Sequence, residues 1–181
     1  MKSSSQKGFT LTELLIVVGV IAVLGAVVVP IGRSVLVKSQ KLRCQSNLRE
    51  IGFALDSYCR DNHGRLPDLQ SMRASRNADV PVLEVVLKKY NSNPDIFHCP
   101  ADREFFKKSG SSYAWNNVVS GTAREAMNFF GGNQASKIPL VGDKEAFHGD
   151  ENGTNLLYGD FRTDDEVKFS VGGGALGHAK N

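Results

Sequence analysis

Lys7-Gly8-Phe9-Thr10-Leu11-Thr12-Glu13-Leu14-Leu15-Ile16-Val17-Val18 opens an apolar run that continues to Ile31 and holds one charge, Glu13. About twenty apolar residues suffice to cross a bilayer as one helix. A carboxylate deep in such a run costs about 2.5–3.5 kcal/mol on insertion scales, so Glu13 needs a reason to be there. The segment in front, Met1 to Gly8, is short, polar and basic through Lys2 and Lys7. An ordinary secretory signal carries its small-residue cleavage site after the apolar region. Here the conspicuous small residue, Gly8, stands before it. Two plainer readings are a signal anchor with a chance acid near the interface, and a cleavable signal cut near Gly25-Ala26.

The string from Lys7 to Val18 resembles the type IV prepilin amino terminus, shared by pilins and type II secretion pseudopilins. Pro30 also stands where these proteins often carry a helix-bending proline. The resemblance implies that a membrane peptidase cuts after Gly8 and methylates the new terminus, Phe9. Glu13 is then the fifth mature residue. In a filament it would pair with the charged amino terminus of a neighbouring Phe9, which offsets its desolvation only after assembly. The implied partners are the prepilin peptidase, other pilin-like subunits, an inner-membrane platform and, indirectly, a cytoplasmic assembly ATPase. The implied location is the inner membrane, single-pass, with a cytoplasmic amino terminus and a periplasmic head, followed by a periplasmic or surface filament. Charge counting points the other way. Lys2 and Lys7 precede the span, while Arg33, Lys38, Lys41 and Arg43 follow it. The positive-inside tendency would put the carboxyl side in the cytoplasm. The motif is far more specific than that tendency and decides the orientation.

The chain has 181 residues. What remains beyond the span suits one domain with a modest core. Mean hydropathy is −0.23, so that remainder is polar enough for water. Net charge is +3 but unevenly spread. Arg33 to Arg65 holds seven basic and three acidic residues, whereas Asp143 to Glu166 holds eight acidic and two basic ones. The basic stretch reads as a solvated helix face, or as one half of an attraction between subunits. Neither aromatic interleaving nor a groove-reading motif accompanies it, so no nucleic acid is expected as a partner.

After Pro30 the apolar positions Leu36, Cys44, Leu48, Ile51, Leu55 and Tyr58 mark one face of an amphipathic helix. Lys38, Arg43, Glu50 and Asp61 fall opposite. Asp61-Asn62-His63-Gly64 supplies polar stop signals, with Pro67 beyond. A helix from Phe9 to Asn62 would measure roughly 80 Å. The expected organisation is a leader at 1–8, a membrane and filament-stem helix at 9–32, a pilin-like head at 33–171 and a glycine-led tail at 172–181.

Cys44-Gln45-Ser46-Asn47-Leu48-Arg49-Glu50-Ile51-Gly52 continues to Tyr58 and Asp61-Asn62-His63-Gly64-Arg65-Leu66-Pro67. This resembles the head of a pseudopilin-like subfamily that carries a Cys-Pro-x-Asp element and a carboxyl-terminal hairpin with a His…Asp-Gly signature. The counterparts here are Cys99-Pro100-Ala101-Asp102 and then His148-Gly149 followed by Tyr158-Gly159-Asp160-Phe161. The family glycine after the aspartate is Phe161 in this chain, and the His-to-Asp spacing is about two residues longer.

Between these landmarks, Leu69 to Asp79 reads as a loop and Pro81 to Tyr90 as a short helix led by proline. Ala123 to Phe130 reads as another short helix. Ser111 to Asn117, Ile138 to Val141, Asn155 to Tyr158 and Glu166 to Val171 read as strands. Trp115 is a core anchor, and Gly159-Asp160 reads as a two-residue hairpin turn. The expected fold class is α+β, a long helix packed by a small antiparallel sheet.

Cys44 and Cys59 lie fifteen positions apart on one expected helix, roughly 22 Å along its axis. A disulfide needs Cα atoms within about 7 Å, so these two cannot bond to each other. Cys99 can reach either Cys44 or Cys59, and an oxidising periplasm permits that bond. Buried free thiols are the alternative. Cys59-x3-His63 with His98-Cys99 offers zinc donors, but not at a standard finger spacing. Asp143, Asp150 and Asp160 are oxygen donors around a glycine-rich turn. They read as a solvated acidic loop or as a calcium cage, the latter because some major pseudopilins bind calcium in a carboxyl-terminal loop. No nucleophile elbow, Walker loop or dinucleotide fingerprint is present, and an enzyme is not expected. The functional expectation is a structural subunit of a type II secretion-like or type IV pilus-like filament. Its alternative is a membrane-tethered periplasmic binding module that stays outside filaments.

Overall fold

The computed structural model describes residues 10–129, 132–133, 135–149 and 153–164. The leader, Gly8, Phe9, the expected strand at Glu166 to Val171 and the glycine-led tail lie outside these residues. Contacts divide the chain into two units, Met1–Lys38 and Ser39–Asn181.

One helix, α1, runs from Leu11 to Asp61 and includes Pro30. Its described part in the first unit is long and apolar enough to cross a membrane. The aliphatic side chains from Leu11 to Leu36 are exposed, among them Leu14, Ile16, Val23 and Val29. Leu36 therefore does not belong to the buried face that periodicity assigns to it. That face begins at Cys44 and continues through Leu48, Ile51, Leu55 and Cys59, all buried, while Tyr58 is only partly so. The helix ends where His63 and Gly64 adopt positive φ of 55° and 75°, and the Gly64 N–H closes onto the Cys59 carbonyl at 2.8 Å. Glycine takes such a conformation without a Cβ penalty and commonly stops a helix.

The second unit packs short elements on this face. Helix α2, Leu83–Val86, starts two residues after the expected proline and tightens into a 3₁₀ turn at Leu87–Lys89. A 3₁₀ turn at Pro94–Phe97 precedes α3, Phe105–Ser109. Strands β1 (Tyr113–Trp115), β4 (Pro139–Asp143), β5 (Leu156–Tyr158) and β6 (Thr163–Asp164) form an antiparallel sheet in the order β1-β4-β5-β6. Strands β2 (Asn128–Phe129) and β3 (Gly132–Asn133) pair separately. The α+β class is thus as expected, with a helix and a small antiparallel sheet.

The helix expected at Ala123 to Phe130 is instead one 3₁₀ turn, Arg124–Ala126, followed by β2. Local helix propensity is weak over so few residues. Burial of Met127 in the core and the β2–β3 pairing decide the conformation there. The Gly159-Asp160 turn is longer by one residue than expected. The Phe161 N–H bonds the Tyr158 carbonyl at 2.8 Å, and the Tyr158 N–H bonds the Arg162 carbonyl at 2.9 Å. This is a three-residue hairpin loop whose last residue takes the left-handed conformation. Phe161 holds that place with φ of 64°.

The core gathers Leu48, Ile51 and Leu55 of α1 with Phe97, Trp115, Leu140, Val141 and Leu157. Trp115 is buried, and its Nε1–H donates to Ser120 Oγ at 2.9 Å. The same hydroxyl accepts from the Leu69 N–H and donates to the Leu69 carbonyl, which pins the irregular segment after Pro67. A half-buried ion pair, Arg73 Nε to Glu84 Oε1 at 2.8 Å, ties that segment to α2.

Asp102 of the Cys-Pro-x-Asp element organises the start of α3. Its carboxylate accepts from the N–H groups of Glu104, Phe105 and Phe106, each at 2.8 Å, and from Ser112 Oγ at 2.6 Å. Burial alone would raise its pKa, but these four bonds to the ionised form together hold it below the usual carboxylate value. The stabilisation is therefore present above about pH 4 and is lost as pH falls through the folded-state value. Asp102→Ala is expected to cost about 2–4 kcal/mol at neutral pH, the range for a cap combined with charged hydrogen bonds. Urea unfolding of the detergent-solubilised chain at pH 7 and pH 2.5 checks this: the gap between variant and wild type must shrink at the lower pH.

Candidate functional site

Two places concentrate the residues that carry function. The first is the start of α1. Thr10 precedes the helix, and the Glu13 N–H donates to Thr10 Oγ1 at 3.3 Å. In return Glu13 Oε2 accepts from the Thr10 N–H and from Thr10 Oγ1, both at 2.8 Å. This reciprocal arrangement is a capping box, in which the residue before the helix and the third helical residue satisfy each other's orphan donors. A negative group there also opposes the positive end of the helix dipole. Thr10-Leu11-Thr12-Glu13 before an apolar run is a legible signature of that motif, yet sequence reasoning assigned Glu13 to assembly alone. In the single chain the carboxylate already has partners. Both of its bonds fall on Oε2, and Oε1 takes none from the described residues. Gly8 and Phe9 lie just before this cap and outside the described residues.

The second place is where α1 meets the head. Cys44 and Cys99 form a disulfide with Cα atoms 5.2 Å apart. Of the two partners open to Cys99, the structure pairs Cys44; Cys59 is a buried free thiol. Burial pushes the Cys59 thiol's pKa up. The Cys59–His63 and His98–Cys99 donors are consequently not one set. Instead His148, from the loop after β4, places Nε2 3.4 Å from Cys99 Sγ. The Cys99 N–H donates to Ser112 Oγ at 2.9 Å, the hydroxyl that also serves Asp102. Asn47, one turn from Cys44, donates to the His98 carbonyl at 2.8 Å. Burial lowers the His148 pKa, and nearby Lys41 lowers it further.

The three aspartates weighed for calcium do not converge. Asp143 ends β4 opposite Asn155, and its Oδ2 accepts from Asn155 N and Nδ2 at 2.9 and 2.8 Å. Asp160 lies beyond Tyr158, which pairs with Pro139 at the other end of β4, and it faces Arg162. Four residues of strand separate the two ends, roughly 13 Å, so one ion cannot hold both carboxylates. Asp150 lies outside the described residues. A cleft of about 410 Å³ opens among Arg73, Arg76, Glu84, Val85, Lys88 and Phe106. Its arginines are committed to structure: Arg73 holds Glu84 and the Ser109 carbonyl, and Arg76 holds the Phe106 and Lys107 carbonyls.

The family described as the prokaryotic N-terminal methylation motif matches residues 3–29. The chain is 32% identical over 100 residues to the type II secretion system core protein G of Escherichia coli (strain K12), covering 55% of this chain and 68% of that protein. No solved structure matches it. The chain belongs to the pseudopilin family of type IV pilin-like proteins.

Asp143 makes the head's stability depend on pH in the mildly acidic range. Burial pushes its carboxyl up to about 6, against the pull of the Asn155 bonds and Lys41. Its Oδ1, like Asn155 Oδ1, is buried without a hydrogen-bond partner among the described residues. A raised carboxyl contributes stability that is complete below the unfolded value near 4 and is lost as pH rises through about 6. Wild type is expected to lose on the order of 2 kcal/mol from this group between pH 4 and pH 7. Asp143→Asn, which cannot ionise, removes that part of the slope. Urea midpoints at pH 4.5 and 7 measure it, and identical slopes in the two proteins would contradict the assignment.

Proposed function

We propose that the chain is a structural subunit of a type II secretion-like or type IV pilus-like filament, cut after Gly8 and methylated on Phe9 by a prepilin peptidase. The observation that carries this reading is the exposed aliphatic surface of α1, which begins just after Gly8 and lies largely within the residues that match the methylation motif. Each such side chain gains about 1.5–3 kcal/mol when covered. A bilayer covers them before assembly, and neighbouring helices cover them after it. The amino terminus would face the cytoplasm and the head the periplasm. A cytoplasmic ATPase, acting through an inner-membrane platform, would drive extraction. The role is structural rather than catalytic. Other pilin-like subunits are the partners, and no cofactor is needed for it.

Processing is tested by mass spectrometry of the mature protein, which should start at N-methylated Phe9. Gly8→Val should accumulate the longer precursor, because a branched side chain beside the scissile bond obstructs the peptidase. A terminus at Met1 or near Ala26 in wild type would overturn this assignment.

Glu13 has two roles to separate, capping its own helix and pairing with a neighbour's Phe9 amine. Glu13→Gln retains an acceptor able to close the capping box but removes the charge. Glu13→Ala removes both. Membrane insertion and cleavage should persist in the two variants, and both should lose cross-linked oligomers and sheared fibres. Oligomers retained in Glu13→Gln but lost in Glu13→Ala would mean that the cap matters and the charge does not. Oligomers retained in both would favour a tethered binding module that works through its head.

A further inference from the structure

We propose that in its dithiol state the Cys44–Cys99–His148 cluster binds one thiophilic divalent cation, zinc foremost, so that two alternative cross-links share one position in the head. Cys44 Sγ, Cys99 Sγ and a His148 ring nitrogen all lie within 4.8 Å of one another. Zinc bonds to sulfur at about 2.3 Å and to nitrogen at about 2.0–2.1 Å, so tetrahedral sulfur and nitrogen ligands stand roughly 3.5 Å apart. The Cys99–His148 edge, at 3.4 Å, already has that span. Once the S–S bond is broken, Cys44 has to retreat by only roughly 1.5 Å, the difference between a bonded and a co-ligand sulfur pair.

The three donors come from separate parts of the head: α1, the segment after the Pro94–Phe97 turn, and the loop after β4. All three are buried, with Cys44 and Cys99 fully so and His148 at 4% exposure. Cysteine thiolate and histidine imidazole are the donor types that zinc takes from proteins. His148 follows Phe147, which packs half-buried against the core, and precedes the exposed Gly149. Three protein ligands leave a fourth position for water.

The two states are related by a balanced exchange. A dithiol or phosphine reductant delivers two electrons to the S–S bond, and each sulfur takes a proton. The reductant leaves as a disulfide or, with oxygen from water, as a phosphine oxide. Zinc then forms two Zn–S bonds and one Zn–N bond and releases the two thiol protons. A disulfide-donating oxidant re-forms the S–S bond and expels the ion. A newly made chain, still in a reducing compartment, begins in the dithiol state. This proposal stands apart from the filament reading, since it concerns only the head.

The test uses the full chain in detergent, reduced with a phosphine and titrated with Co²⁺, then with Zn²⁺ as competitor. The reduced protein should develop a thiolate-to-cobalt charge-transfer absorption that zinc abolishes, and the oxidised protein should show none. Cys44→Ser and Cys99→Ser should eliminate the band, and Cys59→Ser should leave it unchanged. His148→Ala should weaken binding by more than the roughly 10–100-fold typical of a merely supporting residue. Alkylation followed by mass spectrometry gives a readout on wild type alone: Zn²⁺ should protect Cys44 and Cys99. Absence of the band or of protection in the reduced chain overturns the proposal. So does a band that is unchanged in His148→Ala, lost in Cys59→Ser, or equally strong in urea.

Discussion

The head is assembled against one strip of α1, from Cys44 to Cys59. No other described element is long enough to supply a core by itself: α2 and α3 have four and five residues, and the longest strand has five. Leu48, Ile51 and Leu55 supply the surface on which Phe97, Trp115, Leu140 and Leu157 close. The Cys44–Cys99 bond fixes the chain there across a sequence separation of 55. In a chain-entropy picture, closing a loop of that size removes about 4 kcal/mol of freedom from the unfolded chain. Asp102 and Ser112 extend the anchoring: one hydroxyl serves both the Cys99 backbone and the carboxylate that starts α3. Short elements are thereby held by polar bonds where hydrophobic area is scarce.

The amino-terminal half of α1 obeys the opposite rule. Among the described residues its aliphatic side chains are left exposed, a surface suited to lipid or to other subunits. At its start, Thr10 and Glu13 satisfy each other. The capping box lowers the cost of carrying a carboxylate into an apolar segment. It does so without discharging the carboxylate, because the donors are neutral. A charged partner can still add to the interaction through the second oxygen.

The legible parts of the sequence are those whose cause is local. The motif around Gly8 and Glu13 is contiguous. The Cys44–Leu48–Ile51–Leu55 spacing follows from helix geometry, and the strands at β1, β4 and β5 announce themselves by apolar content. Thr10-x-x-Glu13 is equally local, a capping box written in four consecutive residues. Other features are set by contacts between distant segments. Nothing near Cys99 in sequence says that it meets Cys44 rather than Cys59, nor that His148 closes over it. Ala123 to Phe130 is helical in pattern, yet Met127 and the β2–β3 pairing override it. Asp143 and Asp160 look like one acidic cluster because the chain between them is short in sequence, whereas antiparallel pairing sends them to opposite ends of β4.

Phe161 shows how far such non-local control extends. A left-handed residue with a bulky side chain is disfavoured by roughly 1–2 kcal/mol, and a glycine there would be free of that strain. The hairpin accepts the phenylalanine because its side chain has somewhere to go. Its Cβ faces Gly52 of α1, where a glycine leaves room, and the Arg124 guanidinium lies 4.7 Å from the centre of its ring. Arg124 in turn holds Asp56, one helical turn beyond Gly52. The tight turn between β5 and β6 is thus not an independent unit of structure. Turn and helix share one cooperative unit, so local opening of the hairpin is coupled to α1 rather than confined to the loop.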